Sequence, residues 1–405
     1  MTHIHELLVI GSGPYGLSIG AHAAAAGVDV CVLGHPMAAW RENMPKGMLL
    51  KSEPRASNLS EPSGLFSFSA YCTSRGLASE HGRPTPLTTF SDYGLWFAQH
   101  VVPEVEETTV TALTPDGSSF RAITKNGESL RAQTVAVAVG MLPFRNYPMA
   151  LRELAAERYS HSSDHKDLSS FNGQDVTVVG GGQGALETAT LLAELGARPQ
   201  LVARTERLTW NPPPASLNRS RVRTLREPFS GLGTGWRNWL WSEHPEIVHR
   251  LPAERRSRMA ASAFGPAGAW WLRDRFHTMK IPTLTGHRVA RARTTDAGRI
   301  RLTLSNRGGR KTYQETDHVI AATGFVADLN KLDMLSTDLR SSLEREPGGL
   351  SPKLNRVFES SHPRLFFAGL LAVGSFGPSM RFVQGTEFAA RRVVRGVRRT
   401  LGHSR

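Results

Sequence analysis

The chain opens on an apolar run, 7–10, that stops at three closely spaced glycines and gives way to an alanine-rich helical pattern over 17–27. Gly11, Gly13 and Gly16 have G-x-G-x-x-G spacing, and 28–33 (VDVCVL) then reads as a second buried strand. Strand, glycine turn, helix and strand make a βαβ unit. One glycine forms the turn, the second lets backbone approach a pyrophosphate, and the third lets helix pack on strand. The helix N-terminus then faces the phosphates. The pattern returns at 176–179, a buried strand followed by Gly180, Gly182 and Ala185 in G-x-G-x-x-A spacing, a helix over 186–195 and a strand over 199–203. Two such units in one chain are far more specific than one.

Other segments fill in around them. An amphipathic helix is expected over 89–100, with Phe90, Tyr93, Leu95, Trp96 and Phe97 as core. Short alternating strands follow over 105–140, with turn signals at Pro115-Asp116-Gly117 and Asn126-Gly127. Further strands are expected over 284–303, over 317–325 ending at Thr323-Gly324, and over 365–369. Residues 374–387 enter a last helix, on which Phe388, Val393, Val394, Val397 and Leu401 form a buried stripe opposite a basic face. Residues 40–69, rich in Pro, Ser and Gly, read as a long ordered loop crossing a ligand, with Lys51 inside it. Packing is the preferred reading for the irregular, tryptophan-rich stretch 210–273, which carries Trp236, Trp239, Trp241, Trp270 and Trp271 together with basic helical segments.

At 405 residues, two domains are expected. The 49 Lys and Arg against 35 Asp and Glu leave a net charge of +14, largely arginine scattered or gathered in the last helix. No aromatic-interleaved basic motif accompanies it, so nucleic acid is not an expected partner. The two cysteines, Cys31 and Cys72, are far apart and form no C-x-x-C, which argues against a disulfide framework or a zinc site; no metal is expected. With no signal-peptide pattern and no spanning apolar run, a soluble cytoplasmic protein is expected, with no membrane partner. Homo-oligomerisation stays open.

The candidate chemistry lies at the two turns. An acid that would hold a ribose hydroxyl is expected about 20 residues past the first turn, but Gly34 and His35 stand there. After the second unit, Arg204 and Arg207 take the place of that acid. Arginine suits a 2′-phosphate, so the second site is expected to take NADPH.

GSGPYG at 11–16, GGGQGA at 180–185, AATGF at 321–325 and FFAG at 366–369 together resemble the flavoproteins with two dinucleotide-binding domains. The resemblance implies an α/β fold of two Rossmann-like domains, an FAD domain (1–150 and 315–405) with an inserted NADPH domain (151–314). It implies FAD contacts from Gly11, Gly13, Pro14, Tyr15, Gly16, Trp40, Gly369 and Met380. For NADPH it implies Gly180, Gly182, Gln183, Ala185, Arg204 and Arg207, with Thr323 and Gly324 as further cofactor residues. The missing C-x-x-C sets the chain apart from disulfide reductases. MLLKS at 48–52 with SGLFSFSAY at 63–71 looks like the substrate loop of the N-hydroxylating class B flavin monooxygenases, in which the matching lysine, here Lys51, contacts substrate. SHSSDH at 160–165 resembles the back half of the fingerprint before the second turn; the front half is absent. The resemblance implies a monooxygenase using NADPH, O2 and a flavin C4a-hydroperoxide to N-hydroxylate a small or medium amine. Baeyer-Villiger or S-oxygenation, and an NADPH-dependent reductase serving a protein partner, are the alternatives.

Overall fold

The computed structural model describes residues 3–403. Two largely parallel sheets, each built on a glycine-turn unit, form its frame. In the first, β1 (Ile4–Ile10) leads into α1 (Pro14–Ala25), β2 (Val30–Leu33) and the short α2 (Ala38–Glu42). Leu7 to Ile10 and all of β2 are buried, as strands covered on both faces must be. Pro14 begins α1, where its missing N–H costs nothing. Then come α3 (Phe68–Ser74), α4 (Leu87–Val101), β3 (Val105–Glu106), β4 (Val110–Asp116), β5 (Ser119–Thr124) and β6 (Ser129–Val137). The strand order is β3-β2-β1-β6-β5-β4, with β1 to β3 and β6 parallel and β4, β5 added antiparallel.

The second sheet is built from β7 (Tyr159–His161), β8 (Asp175–Val179), α5 (Gln183–Glu194) and β9 (Arg198–Val202). The chain then leaves it for α6 (Arg221–Arg226), the hairpin β10 (Phe229–Ser230) and β11 (Gly233–Thr234), α7 (Trp236–Glu243), α8 (Pro245–His249), α9 (Ala253–Ser262) and α10 (Leu272–Thr278). It returns with β12 (Thr283–Leu284) and a three-stranded antiparallel sheet of β13 (His287–Thr294), β14 (Ile300–Asn306) and β15 (Lys311–Thr316). Last comes β16 (His318–Ala321). The parallel order is β12-β9-β8-β16-β7.

After α11 (Thr337–Ser342), β17 (Leu365–Phe367) pairs with β6 and returns the chain to the first sheet. The chain continues through α12 (Val373–Phe376) into α13 (Thr386–Leu401). Val393, Val394 and Val397 of α13 are buried, as its stripe predicts. Gly396 is required there, since a Cβ would come within 2.7 Å of the Phe366 ring.

Three expectations need correction. The boundary at 315 falls too early: β16 pairs with β8 and β7, so the second sheet runs to Ala321. The strand over 317–325 stops at Ala321, because Gly324 turns at φ 74°. Residues 210–273 carry the expected helical segments, α6 to α9, but part of the stretch leaves the second unit. Arg256 on α9 pairs with the buried Glu346 at 2.6 Å and donates to the Gly374 carbonyl at 3.1 Å, fixing α9 on α12 beside the first sheet. Trp241 is buried as packing predicts, whereas Trp236 is 56% exposed. The loop over 40–69 likewise contains the end of α2 and the start of α3.

The glycines of the first turn differ in what demands them. A Cβ at Gly16 would lie 1.7 Å from the Gly11 carbonyl oxygen, whereas one at Gly13 would meet nothing within 4 Å. Gly16→Ala is therefore expected to destabilise the ligand-free protein by on the order of 3 kcal/mol. Gly13→Ala, which only changes an N-cap residue, should cost under about 1 kcal/mol; urea unfolding of the two variants checks the contrast.

Candidate functional site

Each turn closes over the end of its own sheet by the same contacts. The Gly11 N–H donates to the Leu33 carbonyl (2.8 Å) and the Gly180 N–H to the Val202 carbonyl (2.9 Å). Gly11 has φ 110° and Gly180 φ 155°. A Cβ on either would lie 2.4 Å from a carbonyl oxygen of the adjoining strand end, Ala138 or Ala322. The second glycines are different. Gly13 and Gly182 have ordinary φ of −81° and −98°, and the nearest atom to a Cβ on Gly182 is 3.6 Å away, on Pro266. Protein packing does not require glycine at either position, so the cleared backbone is explained by a ligand approaching it. Ser12 Oγ and Thr205 Oγ1 are buried beside the two turns with no hydrogen-bond partner, a state that otherwise costs about 1 to 3 kcal/mol. The turns thus fit two phosphate-bearing cofactors.

At the first site the Tyr15 hydroxyl donates to the Phe382 carbonyl (2.9 Å), tying α1 to the segment before α13, and burial raises its pKa. Gly369 has φ 69° and faces the Tyr15 ring, where a Cβ would stand 3.5 Å from it. Met380 is fully buried and Trp40 sets its edge on Phe90 at 4.9 Å between ring centres, so both belong to hydrophobic packing. The acid missing after β2 has a neighbour that sequence reasoning overlooked. β3 lies parallel to β2 and carries Glu107 to the same end, 3.4 Å from His35. Only the β2–β3 pairing reveals it.

At the second site Arg204 and Arg207 are exposed, and neither makes an ion pair or side-chain hydrogen bond among the described residues. Both helices begin three residues earlier than expected, α1 at Pro14 and α5 at Gln183, and Ala185 in the first turn of α5 is fully buried. Thr323 and Gly324 lie at the crossing between the sheets. The Thr323 hydroxyl donates to the Asn146 carbonyl, and the Gly324 carbonyl accepts from Asn146 N (2.9 Å) and from His161 Nε2 (3.1 Å). The 160–165 segment is thus the end of β7 and the turn after it, tied to this crossing by His161.

The loop bearing Lys51 is laced to the second unit. Asn43 donates to the Ser163 carbonyl (3.2 Å), Lys46 N to the Lys166 carbonyl (2.9 Å) and the Lys51 ammonium to the Ala267 carbonyl (2.8 Å). The side chain of Lys51 is exposed as a whole, yet desolvation of its ammonium pushes it down to about 8. Leu49 N donates to Glu187 Oε1 (3.0 Å), Gln183 Nε2 to Glu187 Oε2 (3.0 Å), and Ala269 N to Gln183 Oε1 (2.7 Å). Loop, nucleotide-turn helix and the 267–269 strand of chain therefore form one hydrogen-bonded ring. Glu187, 2% exposed, was not singled out from the sequence; burial pushes its carboxyl up to about 7, against the pull of its two hydrogen bonds and of Arg275.

Cys31 lies in β2 and Cys72 in α3; both are buried and unpaired, and neither reaches a turn. Burial and the Glu106 carboxylate push the Cys31 thiol up to about 12. Among the described residues one group has metal-ligand spacing, His3, His5 and Asp29, at the end of β1 away from the turn. No helix among them is long and apolar enough to cross a membrane.

A model of the pyridine nucleotide-disulphide oxidoreductases matches residues 8–227. The chain belongs to that family. The ferredoxin–NADP reductase of Ralstonia pickettii is 29% identical over 203 residues, 50% of this chain and 51% of the relative. That of Saccharopolyspora erythraea is 24% identical over 232 residues, 57% and 53% of the two chains. The chain therefore spans about half the length of these curated relatives. Solved structures share the fold over 98% of this chain at 15% identity. They include an ornithine N-hydroxylase of Kutzneria (TM-score 0.78, 99% of that chain), the FAD-bound cadaverine monooxygenase of Erwinia amylovora (0.75, 95%) and a bacillithiol disulfide reductase of Staphylococcus aureus (0.69, 99%).

Two outcomes follow. Arg204→Ala with Arg207→Ala is expected to raise the KM for NADPH at least tenfold, since a charge-assisted phosphate contact contributes about 1.5 to 3 kcal/mol, and to leave NADH use unchanged; steady-state kinetics with both nucleotides check it. Glu187 has a folded-state pKa above its ordinary 4.5. The folded protein therefore loses stability as pH rises from about 4.5 through about 7. Glu187→Gln cannot ionise, so from pH 5 to pH 8 the variant should gain on the order of 2 to 3 kcal/mol relative to the parent, at about 1.4 kcal/mol per unit. Unfolding curves at the two pH values measure that gain.

Proposed function

We propose that the protein is an FAD- and NADPH-dependent monooxygenase that N-hydroxylates a small or medium amine. The observation that carries this reading is the Lys51 loop, bonded through Glu187 and Gln183 to the helix at the second turn, in a protein with no cysteine at either turn. Family members that reduce disulfides need a thiol pair beside the flavin. Here electrons leaving the flavin have no such acceptor, and the loop brings a polar, partly desolvated amine to the cleft instead.

The first turn would hold FAD through Gly11, Gly13 and the N-terminus of α1, with Glu107 on the ribose. The second would hold NADPH through Gly180, Gly182 and Gln183, with Arg204 and Arg207 on the 2′-phosphate. Bound FAD supplies hydride acceptance and reaction with O2. The chain's own part is to bind, orient and exclude water. The laced loop closes the cleft over the second turn, and Lys51, with its pKa near 8, donates a hydrogen bond to substrate in exchange for the Ala267 carbonyl. The reaction balances as amine, O2, NADPH and a proton giving hydroxylamine, water and NADP+.

The overlap with ferredoxin–NADP reductases favours a second reading, electron transfer from NADPH to a protein partner. The two separate on product. With ornithine, lysine, cadaverine and other amines, the first reading expects hydroxylamine in step with NADPH and O2 consumed. In Lys51→Ala, NADPH oxidation should continue while at least tenfold more of it ends as hydrogen peroxide. No hydroxylamine from any amine, together with rapid reduction of an added ferredoxin, would establish the reductase.

A further inference from the structure

A second concave site lies against α13, on the face that the sequence leaves as merely basic. Arg392, Arg395 and Arg399 share one face of that helix, three and four residues apart. Arg250, from the end of α8, and Arg356, from the loop before β17, face them across a bowl of about 320 Å³. That is the volume of a small-metabolite site. Val357 and the fully buried Phe376 also line it. The Phe376 ring is stacked between Phe358 (4.0 Å, 9°) and His249 (4.7 Å, 15°), which fixes the wall behind the arginines.

The charges in this bowl are not balanced by the protein. One carboxylate, Glu246, lines it against five guanidinium groups, and Glu246 is shared between His244 (3.1 Å) and Arg392 (3.7 Å). Arg250, Arg356, Arg395 and Arg399 make no ion pair or side-chain hydrogen bond among the described residues. Arg250 and Arg395 act on Arg392 as like charges, and desolvation of Arg392 adds to the cost of its charge. The arrangement is nevertheless held in place. Arg256 donates to the carbonyls of His249 (3.3 Å), Leu251 (2.7 Å) and Gly374 (3.1 Å) and pairs with the buried Glu346 (2.6 Å), so the 249–251 turn that carries Arg250 is fixed against α12. His249 Nδ1 lies 3.2 Å from the Ser375 carbonyl, which fixes the imidazole as well.

We propose that this bowl binds a small polyanion, a phosphate- or polycarboxylate-bearing metabolite. Converging arginines on a fixed frame suit multiply charged oxyanions, for which guanidinium is the matched donor. The small concave volume favours a metabolite over a macromolecular surface. The site is separate from both glycine turns and does not depend on the proposed reaction.

The test is calorimetric titration of the FAD-loaded protein, saturated with NADP+ so that the nucleotide sites are filled, with pyrophosphate and with citrate at constant ionic strength. One saturable site is expected, and the tighter probe identifies the phosphate or the carboxylate chemistry. Arg395→Gln with Arg399→Gln should weaken that binding at least tenfold. Without anion and at low salt, the same double variant should melt no lower than the parent, because it relieves repulsion. Binding that does not saturate with either probe, or that the double variant retains unchanged, would overturn the proposal.

Discussion

Two alanine carbonyls, Ala138 and Ala322, set the terms on which each sheet meets its nucleotide turn. Each lies where a side chain on the first glycine would have to go. The turn must therefore start from glycine, and helix and strand can then approach closely enough for the third position, Gly16 or Ala185, to be buried between them. Close packing at these two points directs the N-termini of α1 and α5 out of the C-terminal ends of their sheets. Everything assigned to the cofactors is arranged around those helix ends.

The loop over 43–51 ties the two similar units together. It leaves the first unit after α2 and is held on the second by backbone and side-chain hydrogen bonds in series. Because Glu187 receives two of the donors and is buried, its carboxyl is both the centre of this ring and its least comfortable member. A carboxyl pushed toward neutrality is a common cost of holding a loop from beneath, since removal from water disfavours its charge.

Much of this was legible from pattern alone. The glycine spacings located both turns, and the buried runs beside them located β1, β2, β8 and β9, because local sterics and double-sided burial leave the same signature wherever they occur. Arg204 was visible as a residue type out of place, whereas Lys51 was singled out only by the resemblance of its loop. Glu107 and Glu187 were not. The first becomes meaningful only when β3 aligns with β2, and the second only when a distant loop settles on α5. Both are facts of pairing across the chain, to which periodicity is blind. The 210–273 stretch was harder for a similar reason: its weakly patterned short helices are directed by Arg256 and Glu346, an ion pair spanning ninety positions. The early boundary at 315 arose because β16 reads as a strand equally well in either sheet.

The position of β16 has a consequence for how the chain is made. This strand sits between β8 and β7, yet it emerges from the ribosome more than a hundred residues after both, and β17, needed beside β6, emerges later still. Neither sheet can close while the chain is being elongated through its middle. Contacts of such long sequence separation make folding slow and leave strand edges open in the meantime. The second unit must therefore wait for β16, and the first for β17, before its strand order is complete.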